Sequence, residues 1–177
     1  MSLSAKTETI VLGGGCFWCL EAAFKAVPGV VQVVSGYSGG LAEEADYQRV
    51  CSGQTRHAEV VRIAYEPDRV SLARLLALFF AIHDPTTPDR QGNDVGPQYR
   101  SVIFFSGADQ ERAAREAIAQ AQPGLDAPIV TEVAPLEQFY PAEAYHQDYF
   151  AKNPHQGYCQ WVVVPKVEKV RKLLGPL

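Results

Sequence analysis

Residues 9–19 read Thr9-Ile10-Val11-Leu12-Gly13-Gly14-Gly15-Cys16-Phe17-Trp18-Cys19. The run 9–12 is short and apolar, the pattern of a buried strand, and the glycines after it predict a tight turn with no side chains in the way. A helix is expected at once over 16–27, because Cys16, Leu20, Ala23, Phe24 and Val27 recur at helical spacing and Pro28-Gly29 stops the pattern. Strand, glycine turn and helix in this order set Cys16 at a helix N-terminus. Free backbone N–H groups and the positive end of the helix dipole lower a thiol's pKa there from about 8.5, so Cys16 is the expected nucleophile. A small core cysteine is the alternative, and three glycines beside two aromatics suit it poorly.

Outward from this stretch, residues 30–37 predict a Val-rich strand ending in Gly39-Gly40, and 41–56 look irregular. A strand is expected over 57–65, where a period of two puts Glu59 on one face with Val61, Ile63 and Tyr65, while Val60 and Arg62 point the other way. A carboxyl on an apolar face is kept protonated by desolvation, which makes Glu59 a candidate acid; a salt bridge to Arg56 or Arg62 is the alternative. Residues 71–82 predict an apolar helix capped by Ser71, and 83–100, with three prolines and two glycines, a loop long enough to carry function. A strand (101–105), a helix (108–121) and a strand (129–134) follow, then a part rich in aromatics and His. From Gln160 on, a solvated terminal strand and helix are expected. The interleaving gives an α+β class, with helices packed on a mixed, mostly antiparallel sheet.

The 177 residues make about one domain at ~150 residues per domain. Hydrophobic residues are 47% and charged residues 20%, with 16 Lys+Arg against 20 Asp+Glu for a net charge of −4, which excludes a disordered chain and supplies no basic face for nucleic acid. The longest apolar run, 75–82, has eight residues where a membrane span needs about 20. No secretory signal is read in 1–9, so the cytoplasm is expected, and 1–7 are expected to be disordered or left over from cloning. The four cysteines, at 16, 19, 51 and 159, then read as reduced thiols with chemistry. Cys16-x-x-Cys19 resembles a thioredoxin redox motif, which makes a general dithiol–disulfide exchange protein the alternative function, but no accompanying βαβ pattern is found. With His57-Ala58-Glu59 it resembles the zinc deaminase signature in the wrong order, so neither metal nor cofactor is expected. His57 reads as an ordinary polar residue at a strand start, Cys51 as a small buried apolar residue, and Cys159, in Gly157-Tyr158-Cys159, as a mobile thiol able to visit another.

Several further blocks stand in series: Gly36-Tyr37-Ser38-Gly39-Gly40, Tyr47, His57-Ala58-Glu59-Val60, His83-Asp84-Pro85-Thr86-Thr87, Asp89-Arg90-Gln91-Gly92-Asn93-Asp94-Val95-Gly96, Tyr99-Arg100-Ser101, Tyr145-His146-Gln147 and Gly157-Tyr158-Cys159. With Gly14-Gly15-Cys16-Phe17-Trp18, and covering almost the whole chain, they resemble the A-type peptide methionine sulfoxide reductases. The resemblance implies one catalytic domain, a two-layer sandwich with a ferredoxin-like core and a long irregular C-terminal segment, 140–177. It implies reduction of the S epimer of methionine sulfoxide, free or in proteins, by an enzyme that thioredoxin recycles; a monomer is expected on size alone. Carried over residue by residue, Cys16 is the nucleophile, Phe17 and Trp18 hold the substrate methyl group, and Glu59 is the acid. Tyr47 and Tyr99 bond the sulfoxide oxygen, and Asp94 helps hold the substrate. Cys159 stands where the family usually has its resolving thiol. The chain departs from the common pattern with Cys19 and Arg56 where glycine is frequent, and it has no further cysteine after Cys159. Both Cys159 and Cys19 therefore stand as candidates to close a disulfide with Cys16.

Overall fold

The computed structural model describes residues 6–175; of the disorder expected over 1–7, positions 1–5 lie outside the described residues, and Lys6 pairs with Glu8. In chain order the elements are β1 (Glu8–Gly13), α1 (Phe17–Lys25), β2 (Val30–Ser38), α2 (Tyr47–Cys51), β3 (Ala58–Tyr65), α3 (Leu72–Ile82), β4 (Arg90–Gln91), β5 (Asp94–Val95) and β6 (Val102–Phe105). Then come α4 (Ala108–Ala121), β7 (Glu132–Pro135), β8 (Phe139–Pro141), α5 (Tyr149–Lys152) and α6 (Val164–Leu174).

Six strands form one sheet in the order β7-β6-β1-β3-β2-β8. Its four central strands are antiparallel and come from a β-α-β-β-α-β chain order, the ferredoxin-like arrangement. β8 extends it antiparallel beside β2, and β7 extends it parallel beside β6. β1 lies in the middle, which is why Ile10, Val11 and Leu12 are all buried. The face carrying Ile10, Leu12, Val61, Ile63 and Tyr65 packs with Leu20, Phe24, Leu75 and Phe79 of α1 and α3 in the main core. Ser71 caps α3 by accepting the Arg74 N–H at 3.0 Å.

Three expectations are corrected. Within 41–56 the chain forms α2, with Asp46 accepting the Arg49 N–H at 2.9 Å. β7 begins at Glu132 rather than 129, because the Ile129 N–H is taken by the Gln122 side chain and the Val130 N–H by the Pro85 carbonyl, both at 2.8 Å. The terminal strand does not exist: 159–174 are helical, opening with a π turn over Cys159–Val163. Cys159, Val163, Val167 and Val170 are the buried residues of that helix, a spacing that only a helix presents on one side.

Candidate active site

β1 delivers the chain to the sheet end where Gly15, at φ +89°, turns it into α1. The turn is tightly held: a Cβ on Gly14 would lie 2.9 Å from the His83 ring, and the Gly15 N–H donates to the Tyr99 carbonyl at 3.1 Å. Cys16 is the N-cap residue of α1 and is half-buried; Cys19 is fully buried one turn on. Period two along β3 sends Glu59 to the helix-bearing face of the sheet, as expected, directly beneath the first turn of α1. There its Oε1 accepts the Phe17 N–H at 3.1 Å, while Arg62 instead covers the Phe139 ring.

Cys16, Phe17, Trp18, Tyr47, Glu59, Asp94 and Tyr99 line one cavity of about 200 Å³ together with Tyr158. Seven of the residues singled out in the sequence thus meet in one place, from α1, α2, β3, β5 and the 3₁₀ turn Pro97–Tyr99. Cys19 and Cys159 do not line it. They pack together in a separate buried cluster with Val163 and Val167, with Cys16 at its edge. Cys159 is 0% exposed and its thiol bonds Gln156 Oε1 at 3.6 Å, so the expected mobile thiol is held inside a helical segment.

The electrostatics follow from burial. Glu59 is 2% exposed, and desolvation, opposed by the Phe17 N–H and reinforced by the charge of Asp94, pushes its pKa to about 8. Desolvation also raises the Tyr47, Tyr99 and Tyr158 hydroxyls well above the usual phenol range, so all three are protonated donors. For Cys16 the expectation of a lowered pKa is corrected: burial raises it, the Cys19 thiol and the Glu59 charge add to that, and the backbone N–H of Trp18 offsets only part. Cys19 moves the other way, lowered first by the hydrogen bond from Cys16 and then by the charge of Lys166.

Residues to which the sequence reading gave no role in the site hold the walls. His146, 1% exposed, accepts the Trp18 Nε1–H at Nδ1 (3.1 Å) and packs on Phe17 and Tyr47. Glu143 accepts the Tyr37 hydroxyl at 2.8 Å and the Tyr47 N–H at 3.0 Å, fixing α2 against the sheet. Tyr158 donates to Asp94 at 2.8 Å, and Tyr149 stacks on Trp18 at 3.7 Å. The density of aromatics and His over 140–158 was the available signal. His57 is a structural pin, its ring bonded by Gly40 N and to Leu41 O. Cys51 is half-buried beside the Tyr47 hydroxyl rather than a core residue. Arg56 is exposed, and its carbonyl accepts from Arg100.

The model of one family, described as peptide methionine sulfoxide reductase, matches residues 8–175. The chain belongs to that family. It is 54% identical over 172 residues to a peptide methionine sulfoxide reductase MsrA of Chromobacterium violaceum, a match that covers 96% of this chain and 98% of that one. Among solved structures, Mxr1 from Saccharomyces cerevisiae in reduced form superposes with a TM-score of 0.83 at 36% identity, over 90% of this chain and 92% of that one. Mxr1 in complex with Trx2 gives 0.59 at 27% identity, over 84% and 88%. Membership in the reductase family bears out the two-layer α+β fold with its ferredoxin-like core and does not favour the general dithiol exchange reading.

Proposed function

We propose that the protein is a thiol-dependent oxidoreductase that reduces the S epimer of methionine sulfoxide, free or in proteins, within a single catalytic domain. The carrying observation is a buried carboxyl and a half-buried thiol facing one small aromatic cavity. In this reading Phe17 and Trp18 hold the methyl group, Asp94 helps position the substrate, and Cys16 attacks the sulfoxide sulfur. The departing oxygen needs a proton as the S–O bond breaks. Glu59, with its pKa near 8, is protonated at neutral pH and able to give one, while the Tyr47 and Tyr99 hydroxyls share the developing charge. Methionine leaves and the oxygen ends on Cys16 as a sulfenic acid; a second thiol condenses with it to a disulfide and water, and an external dithiol reduces that disulfide by exchange. Cys19 and Cys159, packed together behind Cys16, are the candidates for the second thiol.

Thioredoxin is the external dithiol in this reading, supported by the Mxr1 complex with Trx2. A monomer in the reducing cytoplasm suits a cycle built on free thiols. Among the described residues no helix is long and apolar enough to cross a membrane. The test is Cys16→Ser with methionine sulfoxide and a dithiol: no methionine above the uncatalysed background is expected by chromatography, and wild-type turnover would overturn the reading.

A further inference from the structure

Cys16 opens on two cavities, not one. Behind the aromatic pocket lies a second cleft of about 380 Å³, walled by Cys19, Asn93, Asp94, Tyr158 and Lys166 as well as Cys16. Cys159 lines neither cavity. The two thiols that could resolve an oxidised Cys16 thus differ in placement. Cys19 sits across one helical turn, its N–H bonded to the Cys16 carbonyl at 3.1 Å, and it lines the same cleft as Cys16. Cys159 lies in another element, and its thiol is turned to Gln156.

Resting on the reductase reading, we propose that Cys19 is the resolving thiol and that the cleft beside Lys166 is the entrance for the reducing dithiol. Cys16–SOH and Cys19–SH form the S–S bond and release water, with no oxidant beyond the sulfoxide already consumed. Residues three apart across the first turn of a helix lie within the roughly 4.4–6.8 Å Cα separation that a disulfide spans, so closure needs no movement of the tail. A reductant thiolate then attacks Cys16, the more exposed sulfur, and Cys19 departs as a thiolate. The second reductant thiol gives up its proton and attacks the mixed disulfide, freeing Cys16; the dithiol leaves as a disulfide, and its two protons return to Cys16 and Cys19.

The cleft is built for that departure. Exchange is faster when the leaving thiol is the more acidic one. Cys19 has the Lys166 charge near it, which favours its anion against burial and the charge of Asp94, whereas burial and Glu59 disfavour the anion of Cys16.

The test uses the full wild-type chain, reduced, given one equivalent of methionine sulfoxide without reductant, then unfolded, alkylated and peptide-mapped. The expected result is one methionine per chain, a Cys16–Cys19 disulfide, and the alkyl label on Cys51 and Cys159. A Cys16–Cys159 bond overturns the assignment of Cys19, and a Cys19–Cys159 bond overturns attack of the reductant on Cys16 from this cleft, each leaving the reductase reading intact; absence of the methionine burst overturns both the proposal and that reading. In Cys19→Ser the burst of one methionine is expected to survive while turnover with thioredoxin drops by about 100-fold. Undiminished turnover there overturns the proposal, and the wild-type map decides it even if that variant fails to fold.

Discussion

At the scale of single residues, Glu59 and Cys16 are pushed the same way by burial, with opposite consequences. Raising a carboxyl to about 8 keeps it an acid at neutral pH; raising a thiol removes its nucleophilic form. Each group's charge also penalises the other, so a protonated Glu59 removes part of what opposes ionisation of Cys16. The rate is therefore expected to fall above about pH 8, as Glu59 ionises, both losing its proton and repelling the Cys16 anion. Glu59→Gln should abolish that descending limb and lower kcat/KM by about 10²–10⁴ at neutral pH, measured as methionine formed between pH 6 and 10. An unchanged alkaline limb in the variant would assign the titration elsewhere. The acid was legible because a period of two puts Glu59 among Val61, Ile63 and Tyr65 by counting alone. The thiol's state was not, since the sequence shows the helix end but not how deeply the tail covers it.

Among the elements, the strand–turn–helix unit is where local sequence and tertiary packing agree. The glycines were legible as a turn; what they make room for was not. Gly14 is needed because the His83 ring, clamped between the Phe79 carbonyl and the Ser101 hydroxyl, fills the space where its Cβ would go. Gly14→Ala is expected to cost about 1–3 kcal/mol by overpacking two rigid rings, read as a lower denaturation midpoint at unchanged slope. The terminal element was misread for a physical reason. Val162, Val163 and Val164 favour a strand, but Pro165 in the first turn of α6 is compatible with a helix start, and burial on one side of that helix decides the outcome. Val163 and Val167 seal Cys19 and Cys159. Val163→Ala should destabilise the chain by about 1–2 kcal/mol. It should also speed alkylation of Cys19 and Cys159 in the native state more than that of Cys51, since the tail would open locally before the sheet does. Equal acceleration at all three thiols would mean that tail and sheet open together.

On the scale of the whole molecule, two buried titratable groups at the same end of the sheet oppose each other in the pH dependence of stability. Glu59 has its folded pKa raised from 4.5 to about 8, so the unfolded chain ionises first and stability is lost as pH rises across that window. His83 has its folded pKa lowered from 6.5 to about 4 by burial, so the unfolded chain takes up the proton first and stability is lost as pH falls from 6.5 towards 4. Each slope is about 1.4 kcal/mol per pH unit where only one state titrates. Between 4.5 and 6.5 the two slopes cancel; from 6.5 to 8 Glu59 acts alone and stability declines. Denaturant titrations from pH 4.5 to 8.5 are expected to give a flat profile that then falls. In Glu59→Gln the uncompensated His83 contribution should make stability rise to about pH 6.5 and then level off. A wild-type profile that rises to about pH 6.5 and then levels off, like that of the variant, would mean that Glu59 is ionised in the folded protein, and the acid would have to be sought among the phenols of the same cavity.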